Sequence, residues 1–131
     1  MKLFVDEPGS TEAEATWDAA DRRLSTRLLY VEARAALGAA VRERRLPARA
    51  LGEMRARLEL FWDALDPIEA DAFLVSRAGD LAEEHSLRGY DAVHLAAAEA
   101  VVDDETWFVA ADRKLLEAAQ TQGLATLTLV E

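Results

Sequence analysis

The chain has 131 residues, a formal net charge of −10 and a composition that is 51% hydrophobic and 31% charged, with no cysteine. That is one domain able to bury a core, and it excludes a disordered tail, a disulfide scaffold, a thiolate zinc site and a thiol nucleophile. No apolar run approaches membrane-spanning length, and the start Met1-Lys-Leu-Phe-Val-Asp lacks a signal peptide's apolar core, so no membrane association and a cytoplasmic setting are expected. The acidic balance argues against broad adhesion to nucleic acid, although a bound metal and local arginines can still handle a phosphate.

Residues 2–5 read as the last turn of a helix, broken by Pro8-Gly9-Ser10, after which Ser10 or Thr11 can cap a helix from Glu12 to about Ala20. Asp6 and Glu7 beside that break read as a solvated turn and are set aside as site residues. Arg23 to Thr26 is a short strand, and Leu28 to about Arg44 a long helix ended near Pro47. Within it, Glu32 has Leu28, Leu29, Ala35 and Ala36 as its three- and four-apart neighbours, which places it in the core-facing stripe. A carboxylate there is costly without a cation or donors. For one glutamate in isolation, pairing with an arginine is the simpler reading.

Pro47 to about Leu65 is the next helix, ending in Leu58, Leu60, Phe61, Trp62 and Leu65. Most of that cluster is expected in the core, and part of it could form a groove for a partner helix. Asp66-Pro-Ile68-Glu is a weak strand. Asp71 to about His85 is a helix with Phe73, Leu74 and Leu81 inward.

Asp91 begins a helix after Gly89, followed by a long series of small and apolar residues. Thr106 to Ala110 is a short strand, and Asp112 stands just beyond its carboxyl end, where open α/β sheets bind ligands. Each aspartate is equally suited to capping a helix. His85 and His94 read as hydrogen-bonded packing residues. A helix from Arg113 to about Gln122 is stopped by Gly123, and Ala125 to Val130 is a terminal strand. Strands alternating with helices imply an α/β fold with a parallel sheet covered on both faces, in a single domain over residues 1–131.

Several motifs carry a family resemblance. Leu-Arg-Gly-Tyr-Asp-Ala-Val-His-Leu-Ala at 87–96, followed by Val-Ala-Ala-Asp-Arg-Lys-Leu at 109–115, resembles the second half of a PIN domain. Lys2-Leu-Phe-Val-Asp-Glu-Pro-Gly-Ser10 and Arg27-Leu-Leu-Tyr-Val-Glu32-Ala-Arg are similar to its first half, in the right order. The chain is most similar to the VapC-type ribonuclease toxins. The resemblance implies a three-layer α/β/α fold with a short parallel sheet, and Glu32, Asp91 and Asp112 as catalytic carboxylates that hold Mg²⁺ or Mn²⁺. It also implies Arg88, Arg113 and Lys114 near RNA phosphates. The implied activity is metal-dependent cleavage of single-stranded RNA, neutralised by a VapB-like antitoxin, in a chain that forms a homodimer.

The family opens with a strand ending in an aspartate, upstream of the Lys-Leu-Phe-Val motif. This sequence starts at that motif, so the central strand and its aspartate, which the family carries about ten residues earlier, are expected to be missing. The domain would then be truncated at its N-terminus, Met1 a misassigned start, and the site a ligand short. The alternative is a catalytically impaired module that keeps only antitoxin binding or dimerisation.

Overall fold

Lys2–Val5 forms a strand, β1, and not the end of a helix. Four residues rich in bulky apolar side chains are too few to nucleate a helix, while the same residues suit an extended strand enclosed on both faces. The structure is a computed structural model that describes residues 1–5 and 16–128, apart from the side chain of Leu3. Of the helix expected over 12–20, residues 16–19 are helical; its proposed caps Ser10 and Thr11, like Asp6 and Glu7, lie outside the described residues.

From there the chain alternates as its pattern demands. β2 spans Arg22–Thr26, α1 Leu28–Arg42, α2 Leu51–Asp63, and β3 Asp66–Ile68, with a 3-10 turn at Ala48–Ala50 before α2. Then come α3 (Ala72–His85), α4 (Gly89–Val101), β4 (Thr106–Ala110), α5 (Arg113–Thr121) and β5 (Ala125–Thr128). Local signals set the boundaries. Asp71 accepts a hydrogen bond from the Leu74 amide at 2.9 Å to cap α3, and Ser86 ends that helix in the left-handed region, with φ 54°. Gly123, with φ 86°, turns the chain out of α5 toward β5.

The five strands are all parallel, in the order β3-β2-β1-β4-β5. β1 therefore lies at the centre, Phe4 pairing with Leu24 on one side and with Phe108 on the other. The expected α/β architecture is present, but the expected gap in its middle is not. Lys2–Val5 occupies that place.

Both faces of the sheet are covered. On one, Phe4 and Phe108 stack at 5.7 Å between ring centroids, under Leu81 of α3, Leu95 and Ala96 to Ala98 of α4, and Leu115 of α5. On the other, Val5 and Val109 pack with Trp17, Phe61 and Leu127. The run of alanines lets α4 lie close over the strands. Arg77 of α3 grips Glu99 of α4 through two hydrogen bonds, at 2.7 and 3.0 Å, and Gln122 donates a third to the same carboxylate at 3.0 Å.

Two large apolar side chains face solvent, Phe73 against expectation and Leu60 from a cluster expected to lie mostly, not wholly, in the core. Phe73 is 84% exposed because α3 turns Leu74, Ala78 and Leu81 inward, a stripe that starts one residue later. Leu60 is 73% exposed, while Leu58 and Leu65 of the same apolar cluster are buried.

Phe4→Ala should therefore cost about 3–5 kcal/mol of unfolding free energy in urea, as a fully buried aromatic does, and Phe73→Ala less than about 0.5 kcal/mol. A large loss from Phe73→Ala would place that ring in the core after all.

Candidate active site

One of the chain's acidic candidates stands directly beyond the carboxyl edge of the sheet. Ala110 ends β4, and Asp112 two residues later caps α5, its side chain accepting from the Leu115 amide at 2.9 Å. The cap fixes the direction of this exposed carboxylate and leaves its remaining lone pairs open. Asp91 stands in the first turn of α4, which begins at Gly89, so Asp91 is the helix's third residue and not its first. Its carboxylate is buried, 10% exposed at the side chain, and accepts a hydrogen bond from Arg88 Nε at 3.1 Å.

Glu32 departs from its expected setting. It is exposed, because α1 buries the line of Leu29 and Ala33, and Ala35 and Ala36 are exposed beside it. Small apolar residues made that stripe look wider than it is. An exposed glutamate escapes the burial cost that had demanded a partner for it, and remains available to a ligand.

Arg88 feels the charge of all three. The Arg88 guanidinium is held above its ordinary pKa, first by its hydrogen bond to Asp91 and that group's charge, and further by the charges of Asp112 and Glu32. Arg113 and Lys114 open α5 and are both exposed. Among the described residues, no group of three or more His, Cys, Asp or Glu side chains is close enough to hold one metal ion. The oxygen donors present are of the type a hard divalent cation takes, and their charges meet at the Arg88 position.

Asp6 now joins the candidates, on the ground that it follows Val5, the last residue of the central strand, in sequence. Its own placement lies outside the described residues. Sequence reasoning set it aside as part of a solvated turn beside Pro8-Gly9. The signal that could have found it was present twice: a short apolar run ends shortly before an aspartate at Asp6 and again at Asp112. The case for an impaired module rested on an absent central strand, and it loses that support.

Behind the edge, His94 braces α4 against β2. It is fully buried, with Nε2 at 3.5 Å from Oγ1 of the buried Thr26 and Nδ1 without a hydrogen-bond partner among the described residues. Tyr90 meets its ring edge-on at 4.3 Å and Phe4 at 6.1 Å. Ser25, next to Thr26 on β2, donates to the Val5 carbonyl and ties the carboxyl ends of β1 and β2 together.

A five-stranded parallel sheet under helices is an architecture that solved proteins share. The chain superposes on the crystal structure of PAE2754 from Pyrobaculum aerophilum with a TM-score of 0.71 at 22% identity, covering 96% of this chain and 89% of that one. It also superposes on VapBC2 from Rickettsia felis, solved bound to a DNA fragment from their promoter, with a TM-score of 0.67 at 11% identity over 98% of both chains. No protein-family model matches. Sequence comparison is more specific. Ribonuclease VapC45 and Ribonuclease VapC49, from two strains of Mycobacterium tuberculosis, are each 45% identical over 123 residues, 94% of this chain and 85% of the relative. The chain belongs to the VapC family of PIN-domain ribonucleases.

Burial pushes the pKa of His94 down to about 3, so its imidazole is neutral in the folded chain. Below its ordinary value of 6.5 the unfolded chain takes up a proton that the folded chain refuses, so stability falls as pH drops from about 6.5 toward 3. Between pH 7 and 5 the parent should lose up to about 2 kcal/mol more unfolding free energy than His94→Leu, at about 1.4 kcal/mol per pH unit. Identical pH dependence in the two proteins would show that the buried ring accepts a proton.

Proposed function

We propose that this chain is a divalent-metal-dependent endoribonuclease toxin that cuts single-stranded RNA, with Asp6, Glu32, Asp91 and Asp112 as its acidic site. The observation that carries the reading is the 45% identity, over 94% of the chain, to proteins named as ribonucleases. The acids at the carboxyl edge of the sheet support it. Asp112 stands beyond β4, Asp6 follows β1 in sequence, and Asp91 and Glu32 belong to the helices whose charges reach the same arginine. Mg²⁺ or Mn²⁺ held by these oxygens would supply an activated water and relieve negative charge on the phosphate.

The protein's own part is placement. Buried Asp91 is held by α4, which is pinned to β2 through His94 and Thr26, and Asp112 is held by its cap on α5. Arg88, Arg113 and Lys114 offer cations to the RNA phosphates on either side of the cut, a local attraction against the −10 charge of the whole chain. A VapB-like antitoxin is the proposed neutralising partner and a second copy of the chain the other. Leu60 and Phe73, apolar and 73% and 84% exposed, are surfaces that such partners would cover. The cytoplasm is the proposed setting; among the described residues, no helix is long and apolar enough to cross a membrane.

The test is cleavage of a labelled single-stranded RNA by the purified chain. Activity should appear with Mg²⁺ or Mn²⁺ and vanish with EDTA. Asp6→Asn, Glu32→Gln, Asp91→Asn and Asp112→Asn should each lower the rate on the order of a hundredfold or more, the usual cost of removing an electrostatic group from a transition state. Glu53→Gln, on an exposed turn of α2, should cut normally. Cleavage that survives EDTA would overturn the metal, and normal cleavage by Glu32→Gln would remove that residue from the site.

A further inference from the structure

Arg88 is the residue at this site whose geometry is least explained by RNA binding alone. It occupies the position just before α4, with an extended backbone, and its side chain is 81% exposed. Its hydrogen bond is nevertheless made inward, to the buried carboxylate of Asp91, at 3.1 Å. A guanidinium in open water gains little from one exposed pair. Asp91 gains more, since a buried carboxylate without a cation is costly. The charges of Asp112 and Glu32 act on the same guanidinium. An exposed guanidinium thus holds the buried carboxylate of Asp91 and feels the charges of two further acids.

We propose that Arg88 is a resident counter-ion of the acidic site, which a divalent metal must displace from Asp91 in order to bind. This rests on the reading of Asp91 as a metal ligand, and it adds how occupancy of the site is regulated. Without metal, Arg88 neutralises part of the carboxylate repulsion and keeps the edge of the sheet intact. With metal, the Nε–Oδ2 hydrogen bond opens and the guanidinium is released on a long, exposed side chain. The chain therefore carries a built-in competitor that sets a threshold for metal. It frees its phosphate-binding arginine only once that threshold is passed.

The experiment is calorimetric titration of Mn²⁺ into the full chain and three variants, without RNA. Arg88→Met removes the competitor at a solvent-exposed position and should bind Mn²⁺ roughly three- to fivefold more tightly, the scale of a partly exposed ion pair. Arg88→Lys keeps the charge and should stay within about twofold of the parent. Arg49→Met, the same charge change at an exposed site before α2, should leave the affinity nearly unchanged. Equal or weaker Mn²⁺ binding by Arg88→Met, with the parent binding normally, would overturn the counter-ion role and leave the metal site standing. So would tightening by Arg88→Lys as large as that by Arg88→Met, because the effect would then not follow the charge. No Mn²⁺ binding by the parent or any variant would overturn the metal site itself, and this proposal with it.

Discussion

The pairing of β1 with both β2 and β4 is the constraint on which everything else in this chain depends. A parallel strand with neighbours on both sides must be apolar on both faces, and Phe4 and Val5 meet that demand in opposite directions. Phe4 enters the larger core under α3, α4 and α5, and Val5 the smaller one with Trp17 and Phe61. Parallel strands also align their carboxyl ends along one edge. Three strands that pair in register thus bring the residues that follow them to one side of the molecule, whatever their separation in sequence.

That edge solves an electrostatic problem with few parts. Buried Asp91 stands in a protein that already carries a net charge of −10, so its carboxylate must be met by something positive. Arg88 supplies one cation from within the chain, and neutral His94 braces the helix behind it without adding a charge of its own. Burial of that imidazole, which gives up a hydrogen bond at Nδ1 among the described residues, shows how tightly α4 is drawn toward β2. The polar grip of Arg77 on Glu99 steadies the same helix farther along its length.

Much of this was legible in the sequence. The alternation of elements gave the parallel α/β fold, and Asp112 was recognisable both as a cap and as a residue beyond a strand, roles that the structure combines. The errors share a physical cause. Lys2–Val5 was read as helix because four residues show no periodicity by themselves, and only pairing with distant strands determines their conformation. Glu32 was assigned to a core stripe on the evidence of Ala35 and Ala36, yet alanine is nearly as comfortable in water as in a core. Phe73 was assigned inward on hydrophobicity alone, and a shift of one residue in the helical stripe reversed it. That the charges of Asp112 and Glu32, as well as the hydrogen bond from Asp91, bear on Arg88 involves elements far apart in sequence, which no local pattern reports.

The alanines of α4 have a consequence for how this protein can vary. Ala96, Ala97 and Ala98 are almost wholly buried, and their small size sets the distance between the helix and the sheet. A larger side chain at Ala97 would be accommodated by lifting the helix, at a cost of about 1–3 kcal/mol that many folds tolerate. The same lift would carry Asp91 away from the strand ends, and a displacement of about 1 Å can cost a site a hundredfold in rate. Along this stripe the chain would lose the placement of Asp91 before it lost its fold, so drift here would leave a folded domain whose carboxyl edge had been reshaped.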